Sequence, residues 1–418
     1  MKNKEHMNMT PCGLTALGLA ATLTLSACGG GGGGGGGGEA LPPKLELSNF
    51  QPATTVIGQA DFAGTGPNKG ADYETPAADS LATPYGNPAV SPSGTLFISD
   101  TENYRVLGYQ SLPTVNNAAA DFVLGQPDFT SNEPGMLSSP QGVSIAGGRM
   151  AVANFDGDRV LIYNTIPAGG GTEPDVVVGQ VDFDSQEDTC DATHLNSPEA
   201  ATLTADGRLV VADSAHNRVL IWNTLPTAHG QPADLVLGQG DFTHCVPNDG
   251  DQDRSRNPRS ARTLHNPTGV WTDGHRLAVI DNNNNRVLVW NSFPTNHFQP
   301  ADIVLGQEDF TSASDSADTL DTPYGIDSNG RQLAVADSAN NRVLIWDSFP
   351  TSNFQQPDII LGQSDFAHTQ ANDDNQDGEE DPTASARVLR FPTGVRFYQD
   401  KLLVSEIGNN RVLVFQSQ

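Results

Sequence analysis

The chain has 418 residues, of which 37% are hydrophobic and 43 are glycine, a composition that supports a buried core and excludes wholesale disorder. Its 22 basic residues stand against 50 acidic ones, giving a formal charge of −28. Neutralising phosphate needs clustered Lys and Arg, so this balance excludes a general nucleic-acid binder.

The first 28 residues read as a processing signal. Lys2 and Lys4 make a charged start, an apolar stretch runs from Leu14 to Leu25, and small residues precede Cys28. The apolar stretch is too short to span a bilayer. Leu25-Ser26-Ala27-Cys28 resembles the lipobox of bacterial lipoproteins, which implies cleavage before Cys28 and a lipid on its sulfur. Cleavage would remove Lys2, Lys4 and Glu5 and leave the remainder one charge more negative. Gly29 to Gly38 follow as an unbroken run, and with the residues to 53 they read as a flexible tether. Gly29 stands where an Asp holds some lipoproteins at the inner membrane, so the resemblance implies outer-membrane sorting, on its periplasmic or surface face.

From about residue 54 the chain repeats itself, which overrides any domain count drawn from length. Gly-Gln-x-Asp-Phe occurs six times, beginning at Gly58, Gly125, Gly179, Gly238, Gly306 and Gly362. Arg-Val-Leu-x-aromatic also occurs six times, from Arg105 to Arg411, at a mean spacing of about 61 residues, with Gly108 at x in the first copy. Leu-x-x-Pro, mostly with Gly two places after the Pro, opens each unit at Leu81, Leu137, Leu195, Leu264, Leu320 and Leu389. Between these landmarks each unit reads as four short β runs joined by turn residues, which is one propeller blade. Thr54 to Phe62 forms a fourth run with no blade before it, and the last unit stops after its third. The expected fold is therefore all-β: a six-bladed propeller over 54–418 whose last blade is completed by the N-terminal strand.

Pro-Tyr-Gly or Pro-Thr-Gly-Val, then Ala-Val-Ala-Asp, then Asn-Asn-Arg-Val-Leu, resembles the NHL repeat across nearly all of 54–418. Asn154 and Glu406 depart from the Asp carried by the other blades at the end of the second run. The resemblance implies the fold and leaves activity open, because NHL-like propellers include protein and RNA binders, receptor sensor domains and a lyase. That amidating lyase needs several His converging on Zn²⁺, whereas here only His265 lies near the channel mouth and His194 immediately precedes Leu195.

Residues repeated in every unit are first requirements of the blade, so the Arg and Asp series read as turn-pinning pairs. The aromatics that end the third run read as packing between blades. Function is expected where the frame leaves positions free. The residue after each Pro varies as Tyr85, Gln141, Glu199, Thr268, Tyr324 and Thr393. Three places on stand Pro88, Ser144, Thr202, Trp271, Asp327 and Arg396. Tyr85, Gln141, Glu199, Thr268, Tyr324, Thr393, Trp271, Asp327 and Arg396 are thus candidate ligand contacts at the mouth of the channel. The connections from each Phe to the next Pro share one face with the turns between the second and third runs, making that face a candidate binding surface.

The two longest connections are acidic, and oxygen ligands alternating through a turn suit Ca²⁺. Asp249, Asp251 and Asp253 are one candidate set, and Asp373, Asn375 and Asp377 the other; the second loop resembles the start of an EF-hand loop but has Ala384 where a bidentate Glu would stand. With Cys28 carrying lipid, Cys190 and Cys245 remain for a disulfide outside the cytoplasm. No catalytic motif is present, so no catalytic residue is assigned. The expected function is a monomeric, lipid-anchored binding module of the cell envelope for a protein, peptide or glycan, touching membrane through its anchor only. Its rivals are a Ca²⁺-dependent hydrolase, lactonase or lyase at the channel, using Glu199 and Asp327, and a structural envelope component.

Overall fold

Short apolar runs bounded by Gly, Asn and Asp form six antiparallel sheets of four strands each. The computed structural model describes residues 42–418; the leader, Cys28 and the Gly run lie outside the described residues. Blade 3 shows the pattern: Pro198–Leu203 lies innermost, then Leu209–Asp213, Arg218–Trp222 and Leu235–Leu237 at the outer edge. In blade 6 the order is Pro392–Tyr398, Lys401–Glu406, Arg411–Gln416 and finally Thr55–Ile57 from the other end of the chain. Thr55 pairs with Val414 and Ile57 with Val412, so the ring closes as expected from the orphan strand.

Closure starts earlier than residue 54. Lys44 to Ala53, assigned to the tether on composition, are packed against the blades. Leu45 is buried and exchanges two hydrogen bonds with the Gln332 amide. Asn49 accepts from the Ile360 amide at 2.9 Å and Phe50 donates to the Ile360 carbonyl, capping the outer strand of blade 5. Asn116, His229, His297 and Asn353 cap the preceding blade in the same way from the connections between third and fourth strands. The N-terminal segment supplies this cap because blade 6 has no such connection. Each cap gives partners to a sheet edge that would otherwise be open.

The repeated phrases resolve into this frame. The Gly of each Gly-Gln pair lies at a φ between +79° and +91°, and a Cβ at Gly58 would come within 2.4 Å of Leu81. Glycine is therefore required both by the turn and by the Leu that packs on it. The Gln amide ties two carbonyls, as Gln307 does at Asn285 and Ser314, both at 2.8 Å. The Arg of each third strand donates through Nη1 to the Phe carbonyl of its own Gly-Gln-x-Asp-Phe phrase, and in five blades pairs with the carboxylate across the turn. The strand-three aromatics join core clusters with the preceding blade: Trp222 with Ala151 and Ile162, Trp290 with Val210 and Ile221, Trp346 with Ala278 and Val289.

Candidate functional site

The inner strands converge so tightly at the axis that the Pro-x-Gly glycines touch neighbouring backbone. A Cβ on Gly325 would stand 2.7 Å from Gly394 Cα, and one on Gly86 would stand 2.8 Å from the Gly142 amide nitrogen. Asn87 crosses this narrow level, donating to the Ile326 carbonyl at 2.8 Å and accepting from the Val395 amide at 2.9 Å. It stitches blade 1 to blades 5 and 6, a role hidden in the sequence because Asn87 belongs to no repeated phrase.

Along the axis runs a cavity of about 430 Å³. Its wall includes Tyr85, Glu199, Thr268, Tyr324 and Thr393 from the level just after the Pro, and Ser144, Thr202, Trp271, Asp327 and Arg396 three residues further on. It continues to Asp273, Asn329 and Gly330 at the hairpins between first and second strands. Gln141 is buried at the same level as Tyr85 without lining the cavity. The acidic connections contribute nothing to this wall.

Several of these side chains already have structural partners. Thr268 donates to the Pro323 carbonyl at 3.1 Å, and the Trp271 indole donates to the Ser328 carbonyl at 3.0 Å. Asp327 accepts from the Phe397 amide at 2.8 Å and lies 3.4 Å from Arg396 Nη1. Burial raises the Asp327 carboxyl above its ordinary range despite the Arg396 charge. Tyr85 and Tyr324 meet edge to face with ring centroids 5.3 Å apart.

Besides Arg396 Nε, the buried wall atom left without a partner belongs to Glu199. It is 8% exposed, lines the cavity, and its Oε2 has no hydrogen-bond partner. Burial pushes its carboxyl up to about 8, so it holds its proton at neutral pH. Burial also raises the Tyr85 and Tyr324 hydroxyls, and the nearby Glu199 adds to both shifts. Gln141 Oε1, at the same position of the neighbouring blade, likewise lacks a partner.

The calcium candidates lie elsewhere, on the looped face. Asp249, Asp251 and Asp253 can each place an oxygen within 4.8 Å of the others, the one such group of three among the described residues. Asp249 is fully buried, however, and accepts the amides of Asp253 at 3.1 Å and Arg254 at 3.0 Å. Asp373 does the same for Asp377 and Gly378, while Asn375 accepts from the Asp377 amide at 2.9 Å. The two loops thus share one self-capped turn. Cys190 and Cys245 form a disulfide between successive connections, with Cα atoms 6.3 Å apart.

The three longest connections carry a device the sequence reading missed. Asn68, Asn248 and Asn372 exchange paired amide hydrogen bonds with Asn103, Asn284 and Asn409 of the strand two to three turns. The signal was available in Pro67-Asn68, Pro247-Asn248 and Ala371-Asn372, each of whose Asn stands ten residues after the Gly of its Gly-Gln phrase.

No family model matches the chain, and no curated protein matches it. Among solved structures it is similar to a gluconolactonase of Xanthomonas campestris described as important in glucose secondary metabolic pathways. The two are 15% identical with a TM-score of 0.44, covering 88% of this chain and 99% of the other. The likeness is one of fold alone.

Proposed function

We propose that the protein is a binding propeller of the NHL type, held at the bacterial cell envelope by lipid on Cys28, that takes a small polar ligand, or the terminal unit of a peptide or glycan, in its axial channel. The observation that carries this reading is Glu199: a buried carboxyl facing a ligand-sized cavity with an oxygen left unpaired. Buried polar groups are ordinarily satisfied, and leaving one open costs about 1–3 kcal/mol. A ligand that meets Oε2 recovers that cost. The remainder of a larger partner would rest on the looped face, where the connections vary in length.

A Ca²⁺-dependent hydrolase, lactonase or lyase at the channel fits the donor set less well. Asp327 is engaged by Arg396 and Phe397, and Glu199 is protonated at neutral pH. Any Ca²⁺ held by Asp249, Asp251 and Asp253 would serve the loop rather than the channel.

Native mass spectrometry of the protein purified from its own membranes without chelator tests the proposal. A bound small molecule should be present, and Thr202→Trp, which fills the channel, should remove it. Metal at the channel with turnover would favour the hydrolytic reading; stoichiometric protein partners with an empty channel would favour a structural component.

A further inference from the structure

The cavity wall holds four charged or chargeable groups besides its tyrosines: Glu199, Asp273, Asp327 and Arg396. Asp273 takes Arg276 at 2.6 Å, and Asp327 takes Arg396. Glu199 alone has no cation within 4.0 Å among the described residues. Two wall atoms are buried without a partner, Glu199 Oε2 and the Arg396 Nε donor, and Arg396 already faces the Asp327 carboxylate. Glu199 Oε2, an acceptor once the carboxyl ionises, has no donor. An ammonium group brings three N–H donors, a hydroxyl one, and a carboxylate or phosphate none.

Resting on the channel as the binding site, we propose that the ligand presents a protonated amine to Glu199, beside the rings of Tyr85 and Tyr324. The two rings add the attraction of a cation to an aromatic face. The chain's charge of −28 favours the approach of a cation over that of an anion. A volume of about 430 Å³ accepts an amine-bearing molecule of ordinary ligand size.

The chemistry is a proton balance with no covalent step. Glu199 loses its proton to solvent, the amine remains R–NH₃⁺, and the resulting carboxylate and ammonium pair in the channel. One proton is released for each ligand bound while the free carboxyl is protonated, and none once it has ionised. Affinity for an amine therefore rises about tenfold per pH unit up to the carboxyl's own titration and then levels. Tyr85, Tyr324, Asp273, Asp327 and Arg396 are the other titratable groups facing the cavity. Burial raises the Tyr85 and Tyr324 hydroxyls, the amide and guanidinium of Arg276 lower the Asp273 carboxyl, and Asp327, raised by burial, is paired with Arg396, so the Glu199→Gln variant is what assigns the slope to Glu199.

Size-matched amine, alcohol and carboxylate probes test this: benzylamine, benzyl alcohol and benzoate, and glucosamine, glucose and glucuronate. Binding is read by calorimetry in two buffers of different ionisation enthalpy, and by crystals soaked in each probe. The amines should bind about tenfold or more tightly than their alcohols, release close to one proton at pH 6.5, and gain affinity from pH 6 to 8. Glu199→Gln should erase the amine's advantage and the proton release. An alcohol or carboxylate that equals its amine, or amine affinity that is flat with pH in the intact protein, overturns the proposal while leaving the channel reading in place. If no probe of any class occupies the channel, both are overturned.

Discussion

Blade 2 alone lacks the buried Arg–carboxylate pair, and it supplies the most direct test of how the blades are held. In the other five, a buried carboxylate accepts from Arg Nε, at 2.7 Å for Asp100–Arg105 and 2.6 Å for Asp213–Arg218. Asn154 takes the carboxylate's place, spending its Oδ1 on the Ser138 amide and its Nδ2 on the Met136 carbonyl, and Arg159 Nε is buried without a partner. Burial lowers the Arg159 pKa, with no adjacent buried carboxylate to offset it. Asn154→Asp should rebuild the pair. A hydrogen bond between charged groups is worth about 1.5–3 kcal/mol. Against it stand the new carboxylate's own burial and the lost bond to Met136, whose carbonyl still accepts Arg159 Nη2 at 3.2 Å. The net expectation is about 1–2 kcal/mol of added stability, or roughly 1–3 °C in melting temperature for a chain of this size. Differential scanning calorimetry at pH 7 reads it. Asp337→Asn, which opens the equivalent pair in blade 5, should lose about 3 kcal/mol in the same assay. If Asn154→Asp melts at or below the wild type while Asp337→Asn falls, Arg159 does not lack a carboxylate.

Glu199 makes stability depend on pH with a definite sign. Its folded pKa of about 8 stands above its ordinary 4.5, so between those values the folded state keeps a proton that the unfolded state has lost, and stability falls as pH rises through the window. The slope is about 1.4 kcal/mol per pH unit at most, and Glu199→Gln should remove that component of a urea-denaturation series from pH 5 to 8. A chain beginning at residue 54 should melt well below one beginning at residue 42, since it loses Leu45, Asn49 and Gln51 with their partners; equal melting temperatures would return residues 42–53 to the tether. Cys190→Ser with Cys245→Ser should cost about 2–4 kcal/mol, read by urea denaturation, because the bridge closes a sequence separation of 55.

Blade count, closure and the structural role of the repeated Arg, Asp and Gln were legible because each is dictated by a local requirement that recurs six times. A left-handed turn needs Gly58 or Gly125, and a buried guanidinium needs Asp100 or Asp213. The position after the Pro located Glu199 and Tyr85 near the axis for the same reason: strand period fixes which residues face inward. What could not be read is how those side chains divide into satisfied and unsatisfied. Trp271 and Thr268 vary across the blades as Glu199 does, yet both are committed to carbonyls of the next blade. Asp249 lies with Asp251 and Asp253 as the sequence suggested, and its second role, capping the amides of Asp253 and Arg254, is one that spacing does not reveal. Residues 44–53 read as continuing the Gly-run tether because they belong to no repeated phrase, although Leu45, Asn49 and Gln51 dock them on the blades.

The energetic contrast between the frame and the channel is itself informative. Every Gln of the Gly-Gln phrase and every Arg of the third strands donates to backbone carbonyls, which leaves Gln239 Oε1, Gln363 Oε1 and Arg159 Nε as the frame atoms of these two series buried without partners. Glu199 Oε2 is buried on the channel wall without a partner, although the neighbouring blade shows that a neutral amide, Gln141, fits the equivalent position. A Gln at 199 would present an acceptor of similar shape with no tendency to ionise. The carboxyl adds one capacity that the amide lacks: it can give up its proton and become a charge when a cation arrives. Its burial makes that event unfavourable in the free protein and favourable only in the presence of a partner that replaces the lost solvation. A site built this way discriminates by charge before it discriminates by shape, since an uncharged molecule of the same size leaves the proton where it was.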